Sequence, residues 1–378
     1  MIAPVWIGLG IGLALHMASD QDDSIPSVTP EVVLQLPPGP GNPRNSEGDF
    51  IRLADGRLQF IYTHFTGGGA DHDAAHLASR TSDDGGRTWT ETDERVLPNE
   101  GDQNVMSVSL LRLEDGEIAL FYLRKNSSGD CLPLMRRSAD EGQSWSDPVA
   151  IITDEPGYYV LNNDRVVQLS SGRLVVPVAH HADPAGNWRP GVVHCYLSDD
   201  AGQTWRRNQT SLSSPVADDP RGLMEPGVVE WANGELFMVL RTRLGRQYTA
   251  RSKDGGETWT DPEPRDDLLS PESPASVKLI PSTGDLLMIW NDHRERTEKD
   301  RRERPQARTP LVASISRDGG RTWSMTRVLE DAPDHGYCYT AMTFIDDRVL
   351  LAHCAGALPS ILATTQITMF DVDWLDEP

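Results

Sequence analysis

Apolar residues in this chain fall in short runs, each leaving a tight turn: residues 58–63, 118–123, 174–179, 236–241, 286–290 and 349–354. Five of the turns carry glycine: Asp55-Gly56-Arg57, Asp115-Gly116-Glu117, Ser171-Gly172-Arg173, Asn233-Gly234-Glu235 and Thr283-Gly284-Asp285. The sixth, Asp346-Asp347-Arg348, lacks it. A strand running into such a turn and another leaving it is hairpin chemistry. A third apolar run, such as 76–80 or 311–315, precedes a phrase of the form Ser-x-Asp-x-Gly-x-Thr-Trp, and a fourth strand follows it. The phrase occurs at 82–89, 138–145 (with Ser144 for Thr), 198–205, 252–259 and 316–323, its first serines 54 to 64 residues apart.

Four short strands per repeat predict a blade, and closing such blades into a ring removes exposed sheet edges. Six turns with five phrases therefore predict an all-β protein: a six-bladed β-propeller of four-stranded antiparallel blades. It spans residues 42–378 as one domain, and the tail 364–372 forms a strand that joins the first blade. The phrase itself is turn chemistry. Its Asp is placed to bond nearby backbone N–H groups, and its Trp to pack between strands and give its indole N–H to an acceptor.

Composition narrows the function. The 378 residues include 32 glycines and 27 prolines, which fits many turns, and the net charge of −22 argues against a nucleic-acid partner. Residues 1–19 read as an export signal with an uncharged start, so the expected location is secreted or periplasmic, with no integral membrane domain. Residues 20–41, polar and Pro-rich, read as a linker or arm. Four widely spaced cysteines, Cys131, Cys195, Cys338 and Cys354, suit buried thiols better than a zinc site or disulfide scaffold.

The five Trp phrases are the Asp-boxes of the sialidase (neuraminidase, BNR-repeat) superfamily, and from residue 42 onward the chain resembles a bacterial-type sialidase. The resemblance implies an exo-glycosidase that removes a terminal acidic sugar from glycans with retention. It further implies three arginines on the sugar carboxylate, a Tyr nucleophile paired with Glu, and an Asp acid/base. A carboxylate suits guanidinium forks, and a tyrosine replaces the usual second carboxylate in this class. By position, Glu225 opens a strand whose return ends in Arg241, Arg308 leads into the last box, and Tyr339 follows it, with Tyr337 as the runner-up. Asp71 is the acid/base candidate, in the loop Gly67-Gly68-Gly69-Ala70-Asp71-His72-Asp73, and Asp73 stays beside it as an alternative and a substrate contact.

Arg44 stands where the first clamp arginine belongs. The aromatic-Arg-Ile-Pro phrase of the family is replaced there by Asn42-Pro43-Arg44-Asn45-Ser46-Glu47, whose polar groups suit hydroxyls. Residues 158–165, with Asn163 and Asp164, and the pair His180-His181 are expected along the same rim. The His pair lacks a third ligand in sequence, so no metal is expected, nor any organic cofactor. Two other readings stay open: a glycosidase acting on a different acidic sugar of a polysaccharide, and a non-catalytic glycan-binding propeller.

Overall fold

The computed structural model describes Met1 and residues 29–376 apart from Met325. The proposed signal therefore lies largely outside the described residues. Almost all regular structure is strand, and no helix among the described residues is long and apolar enough to cross a membrane.

Four sheets have four antiparallel strands each. In three of them the strands pair in chain order, beginning with Arg44–Arg52, Leu58–Phe65, Ala75–Ser82 and Glu94–Leu97. The next two expected units are fused into one nine-stranded sheet, because Tyr158 pairs in parallel with Cys131 and bridges them. The first segment of that third unit is broken into Tyr158–Val160 and Val167–Gln168, so it cannot supply the long regular strand the repeat predicts.

The N-terminal arm differs from expectation as well. Glu31–Leu36, inside the stretch read as a linker, is a strand. It pairs antiparallel with Thr365–Asp371, Val32 opposite Thr368 and Leu36 opposite Thr365. The tail is thus the third strand of the last sheet, between Arg348–Ala357 and the N-terminal strand, and does not extend the first sheet. Three of the six arm residues, Val33, Leu34 and Leu36, pack into apolar core, which makes this pairing preferable to a solvated linker.

Apolar clusters fill the spaces between consecutive units. Phe237, Val277 and Trp290 join the fourth to the fifth, and Leu287, Leu351 and Phe370 join the fifth to the last. Phe50, Phe60, Ala341 and Ile367 then bring the last unit against the first. The leading strands meet in the same order: Arg44–Arg52 touches both Asn104–Arg112 and His335–Ile345.

Each Asp-box is a closed hydrogen-bond ring. In the third, Asp200 accepts from Ser198 Oγ, Thr204 N and Thr204 Oγ1, while Ser198 Oγ accepts from Gly202 N. These bonds stabilise the carboxylate form, and Asp318 and Asp84 are held down to about 2 despite some opposing desolvation. The indoles of Trp89, Trp205 and Trp259 donate to glycine carbonyls. Those of Trp145 and Trp323 have no hydrogen-bond partner among the described residues.

Removing residues 1–37 exposes the edge of Thr365–Asp371 and the apolar groups beneath it. Loss of the Leu36 contact alone costs about 2 kcal/mol. Thermal unfolding of the truncated chain should occur several degrees lower; an unchanged melting temperature would show that the N-terminal strand contributes nothing.

Candidate active site

Alternation along a strand sends every second side chain to the same face, so turning a side chain out of that alternation needs a local break. The leading strands supply it. Glu47, Ser107, Glu225 and Tyr339 have left-handed backbones, with φ of 55°, 62°, 44° and 56°. Each lies where its strand slips register against the next, between Ser46 and Asp49, Met106 and Ser109, Met224 and Gly227, and Cys338 and Ala341. All four line one cavity of about 150 Å3, together with Asp71 and Arg241.

On one wall the Tyr339 hydroxyl stands 3.5 Å from Glu225 Oε1, a long contact, and Glu225 Oε2 accepts from Arg241 Nη1 at 2.5 Å. Arg308 lies over the Tyr339 ring, 5.3 Å from its centroid, and donates to Cys338 Sγ at 2.9 Å. Burial, and then the Glu225 carboxylate, push the Tyr339 phenol well above its ordinary range, although Arg308 and Arg241 pull the other way. The phenol is therefore neutral at neutral pH and needs a base to become a nucleophile. Glu225 stands beside it.

Beneath Tyr339, Cys338 faces Cys354 across the strand pair, both thiols buried and free. Burial opposes ionisation of Cys338, but the Cys354 hydrogen bond and the Arg308 charge lower it to about 7.

Arg44 pairs with the cavity residues Glu47 and Asp71 and is engaged at all three of its side-chain nitrogens. Its Nε donates to Ser46 Oγ at 2.9 Å, Nη2 to Glu47 Oε1 at 2.9 Å, and Nη1 to Asp71 Oδ1 at 2.5 Å and Gly69 O at 3.3 Å. It is 1% exposed and does not line the cavity. The expectation that Arg44 offers a fork to a substrate carboxylate is corrected here, because two carboxylates of its own chain occupy that fork. Burial raises the Glu47 carboxyl, with Arg44 offsetting part of the effect. For Asp71 burial acts in the same direction, but the Arg44 charge and hydrogen bond outweigh it and hold the carboxyl below its usual range.

Asp71 and Asp73 separate cleanly. The Asp71 side chain reaches the cavity, and its backbone carbonyl is held by Asn104 Nδ2 and Lys125 Nζ at 3.0 and 2.8 Å. Asp73 instead accepts from Ala70 N at 2.8 Å and closes the loop away from the cavity. Asn163 and Asp164, expected on the rim, are also corrected. Asn163 donates to Gly48 O and Tyr339 O, bracing the backbone of the tyrosine. Asp164 pairs with Lys278 at 2.5 Å, accepts from Met342 N, and lines a separate cavity with Val166 and Val277. Tyr158 and His181 do line the main cavity, whereas His180 stacks on Tyr159 and bonds Ala182 O. Tyr337, the alternative nucleophile, is buried in a core cluster and is absent from the cavity wall.

Ser107, Lys125, Trp188 and Arg221 line the cavity without having been singled out by sequence. They occupy a bulge, a strand end, a hairpin and a loop, where no periodicity marks them. Among the described residues no cluster of three or more His, Cys, Asp or Glu could hold a metal.

Comparison with known proteins now fixes the family: the BNR repeat-like domain matches residues 59–351. The chain belongs to this sialidase-like BNR family. An anhydrosialidase of Macrobdella decora is 27% identical over 257 residues, 61% of this chain. That match spans about a third of the leech protein, 32% of its length. Among solved structures, a protein of unknown function from Dyadobacter fermentans superposes with a TM-score of 0.71 at 19% identity, covering 90% of this chain and 99% of that one. A Streptococcus pneumoniae sialidase gives 0.68 at 15% identity, covering 91% and 70%. These two likenesses establish a shared fold.

Arg44 sets the titration of Asp71. Replacing it, as Arg44→Gln, removes the attraction that lowers the carboxyl, so the Asp71 pKa should rise by about one unit or more. Carbon-13 NMR of the labelled carboxyl measures this. The folded pKa being depressed, the pair stabilises the protein above the unfolded pKa of about 3.9, and that contribution fades as pH falls through the folded value. A titration of Asp71 indifferent to the substitution would mean that the two side chains are not coupled.

Proposed function

We propose that this chain is a retaining exo-glycosidase of the sialidase type, acting on a terminal acidic sugar of a glycan. The observation that carries the proposal is that Asp71 and the Tyr339–Glu225 pair line the same cavity. In this reading substrate binding loosens the pairing of Asp71 with Arg44, so that the carboxyl takes up a proton and gives it to the glycosidic oxygen as the bond to the anomeric carbon breaks. Tyr339 attacks that carbon as Glu225 takes the phenol proton, leaving a glycosyl-tyrosine. Asp71, now a carboxylate, removes a proton from water, which attacks the same carbon. Glu225 returns its proton to the departing tyrosine, so the catalyst is restored and the configuration retained.

Arg241 and Arg308 flank Tyr339 and hold the sugar carboxylate, with Arg241 Nε unpaired and buried in the free protein. The architecture belongs to the same proposal. Consecutive apolar clusters that lead the last unit back to the first support six blades in a ring, with the fused nine-stranded sheet counted as two. Export, argued from the apolar run at the chain start, completes the reading.

One observation favours a second sugar class. With Arg44 engaged by Glu47 and Asp71, only two of the three candidate clamp arginines, Arg241 and Arg308, are left to face the substrate where a sialidase-like site calls for three. A uronic acid, or another acidic residue of a polysaccharide, suits this arrangement.

Purified protein should therefore be assayed on sialyl and uronosyl fluorogenic glycosides. Tyr339→Phe, which keeps the ring and loses the nucleophile, should reduce kcat at least about 100-fold while an acidic monosaccharide still binds. Arg308→Ala should weaken that binding. Undiminished turnover by Tyr339→Phe would rule out the nucleophile assignment, and the substrate that is cleaved decides between the two sugars.

A further inference from the structure

The active cavity adjoins a second one of about 200 Å3, and the two share His181, Trp188 and Arg221. Arg189, Pro190 and Pro220 complete the second cavity. We propose that this side cavity is a subsite for the sugar next to the scissile bond, selective for a ring that bears an anionic group, carboxylate or sulfate ester. The inference rests on the glycosidase reading above and adds a preference for what lies beyond the cleaved sugar.

Three features carry it. First, Trp188 is 51% exposed although its ring is packed from behind, 4.9 Å from Tyr158 and 5.6 Å from His181, centroid to centroid. A large aromatic left open at the mouth of a polar pocket presents a rigid platform for the C–H face of a sugar ring.

Second, two guanidinium groups line the cavity in a chain whose net charge is −22. Arg221 uses its Nε on Glu272 Oε1 at 2.9 Å, and its two terminal nitrogens make no hydrogen bond among the described residues. Arg189 rests on the ring nitrogens of His180 at 3.1 and 3.2 Å, with Glu155 at 3.6 Å. Burial lowers the pKa of His180, so its ring is neutral at neutral pH: Nε2–H donates to Ala182 O, and Nδ1 accepts from Arg189 without neutralising it. Both arginines are nearly half exposed, and the terminal edge of Arg221 remains available for a bidentate contact.

Third, the walls are built. The hairpin before Trp188 is tied by Asp183, which accepts from Ala185 N, Asn187 N and Asn187 Nδ2. The loop carrying Arg221 is zipped to the strand carrying Trp188 by backbone bonds from Gly191 N to Arg221 O and from Leu223 N to Gly191 O. Gly222 makes this approach feasible: its φ is +67°, and a Cβ there would lie 2.5 Å from Gly191 N and O. The subsite is thus largely formed before anything binds, which reduces the ordering cost of binding.

The test compares three substrates sharing whichever acidic sugar the protein cleaves: its glycosyl fluoride, which has no second ring, a neutral disaccharide, and the same disaccharide with a sulfate or a carboxylate on the second ring. At low ionic strength kcat/KM should be about tenfold higher for the anionic disaccharide than for the neutral one, the scale of one charge-assisted contact. The preference should shrink as salt is added. Arg189→Ser should reduce the preference severalfold while leaving fluoride turnover as in the wild type. Trp188→Ala should lower kcat/KM for both disaccharides relative to the fluoride.

Equal kcat/KM for neutral and anionic disaccharides, or a Trp188→Ala loss that is the same on all three substrates, overturns the subsite. Failure of the wild type on every substrate overturns the glycosidase reading instead. Comparing the sulfated with the carboxylated disaccharide identifies which anion the arginines recognise.

Discussion

The site depends on one backbone constraint, the left-handed residue at the break in each of several leading strands. Outside glycine this conformation costs about 1–3 kcal/mol, and it occurs at Glu47, Ser107, Asp164, Glu225 and Tyr339. Four of the five line the active cavity. In a regular strand these side chains would follow the alternation into the packing between sheets. The bulge takes four of them out of it and turns them into the cavity. The strain is sustained because the flanking ladder is continuous and the bulged backbone is itself held, as where Asn163 donates to Tyr339 O.

Around this centre the charges are arranged as two separate groups. Arg44, Glu47 and Asp71 form one set, and Glu225, Arg241 and Arg308 gather about Tyr339 in the other. Each carboxylate that faces the cavity is thereby stabilised by an arginine of the protein, which limits the desolvation cost of burying it. The arrangement also explains how a chain with so large a negative charge can offer anion-binding groups. Lys125, Arg221 and Arg241 stand at the cavity wall, and Arg189 joins Arg221 at the side opening by Trp188.

The fold was legible because its signals are local. An Asp-box encloses its hydrogen bonds within eight residues, and each hairpin turn advertises itself, so neither depends on distant partners. Phrases on strands next to those turns singled out Glu225, Arg241, Arg308 and Tyr339, which the fold brings side by side. Asn163 and Asp164 were misplaced because a single left-handed residue reverses which way its neighbours point, and nothing in the spacing marks it. Asp71 and Asp73 differ by two positions in one loop, and the fork of Arg44 selects between them. The strand Glu31–Leu36 was hidden because it lies in a Pro-rich stretch and its partner is more than three hundred residues away. Trp188 and Arg221 come together through the contact of Gly191 with Gly222, which no repeat predicts.

That pairing of Glu31–Leu36 with Thr365–Asp371 gives the assembly a direction in time. As the chain leaves the ribosome, Glu31–Leu36 must wait for Thr365–Asp371 before its backbone donors and acceptors are matched. The units between can pack upon one another as they emerge, but the final sheet is completed only when these two strands meet. Until then Leu34 and Leu36 lack part of their apolar surroundings, so the last sheet closes only after every unit between these two strands has been made.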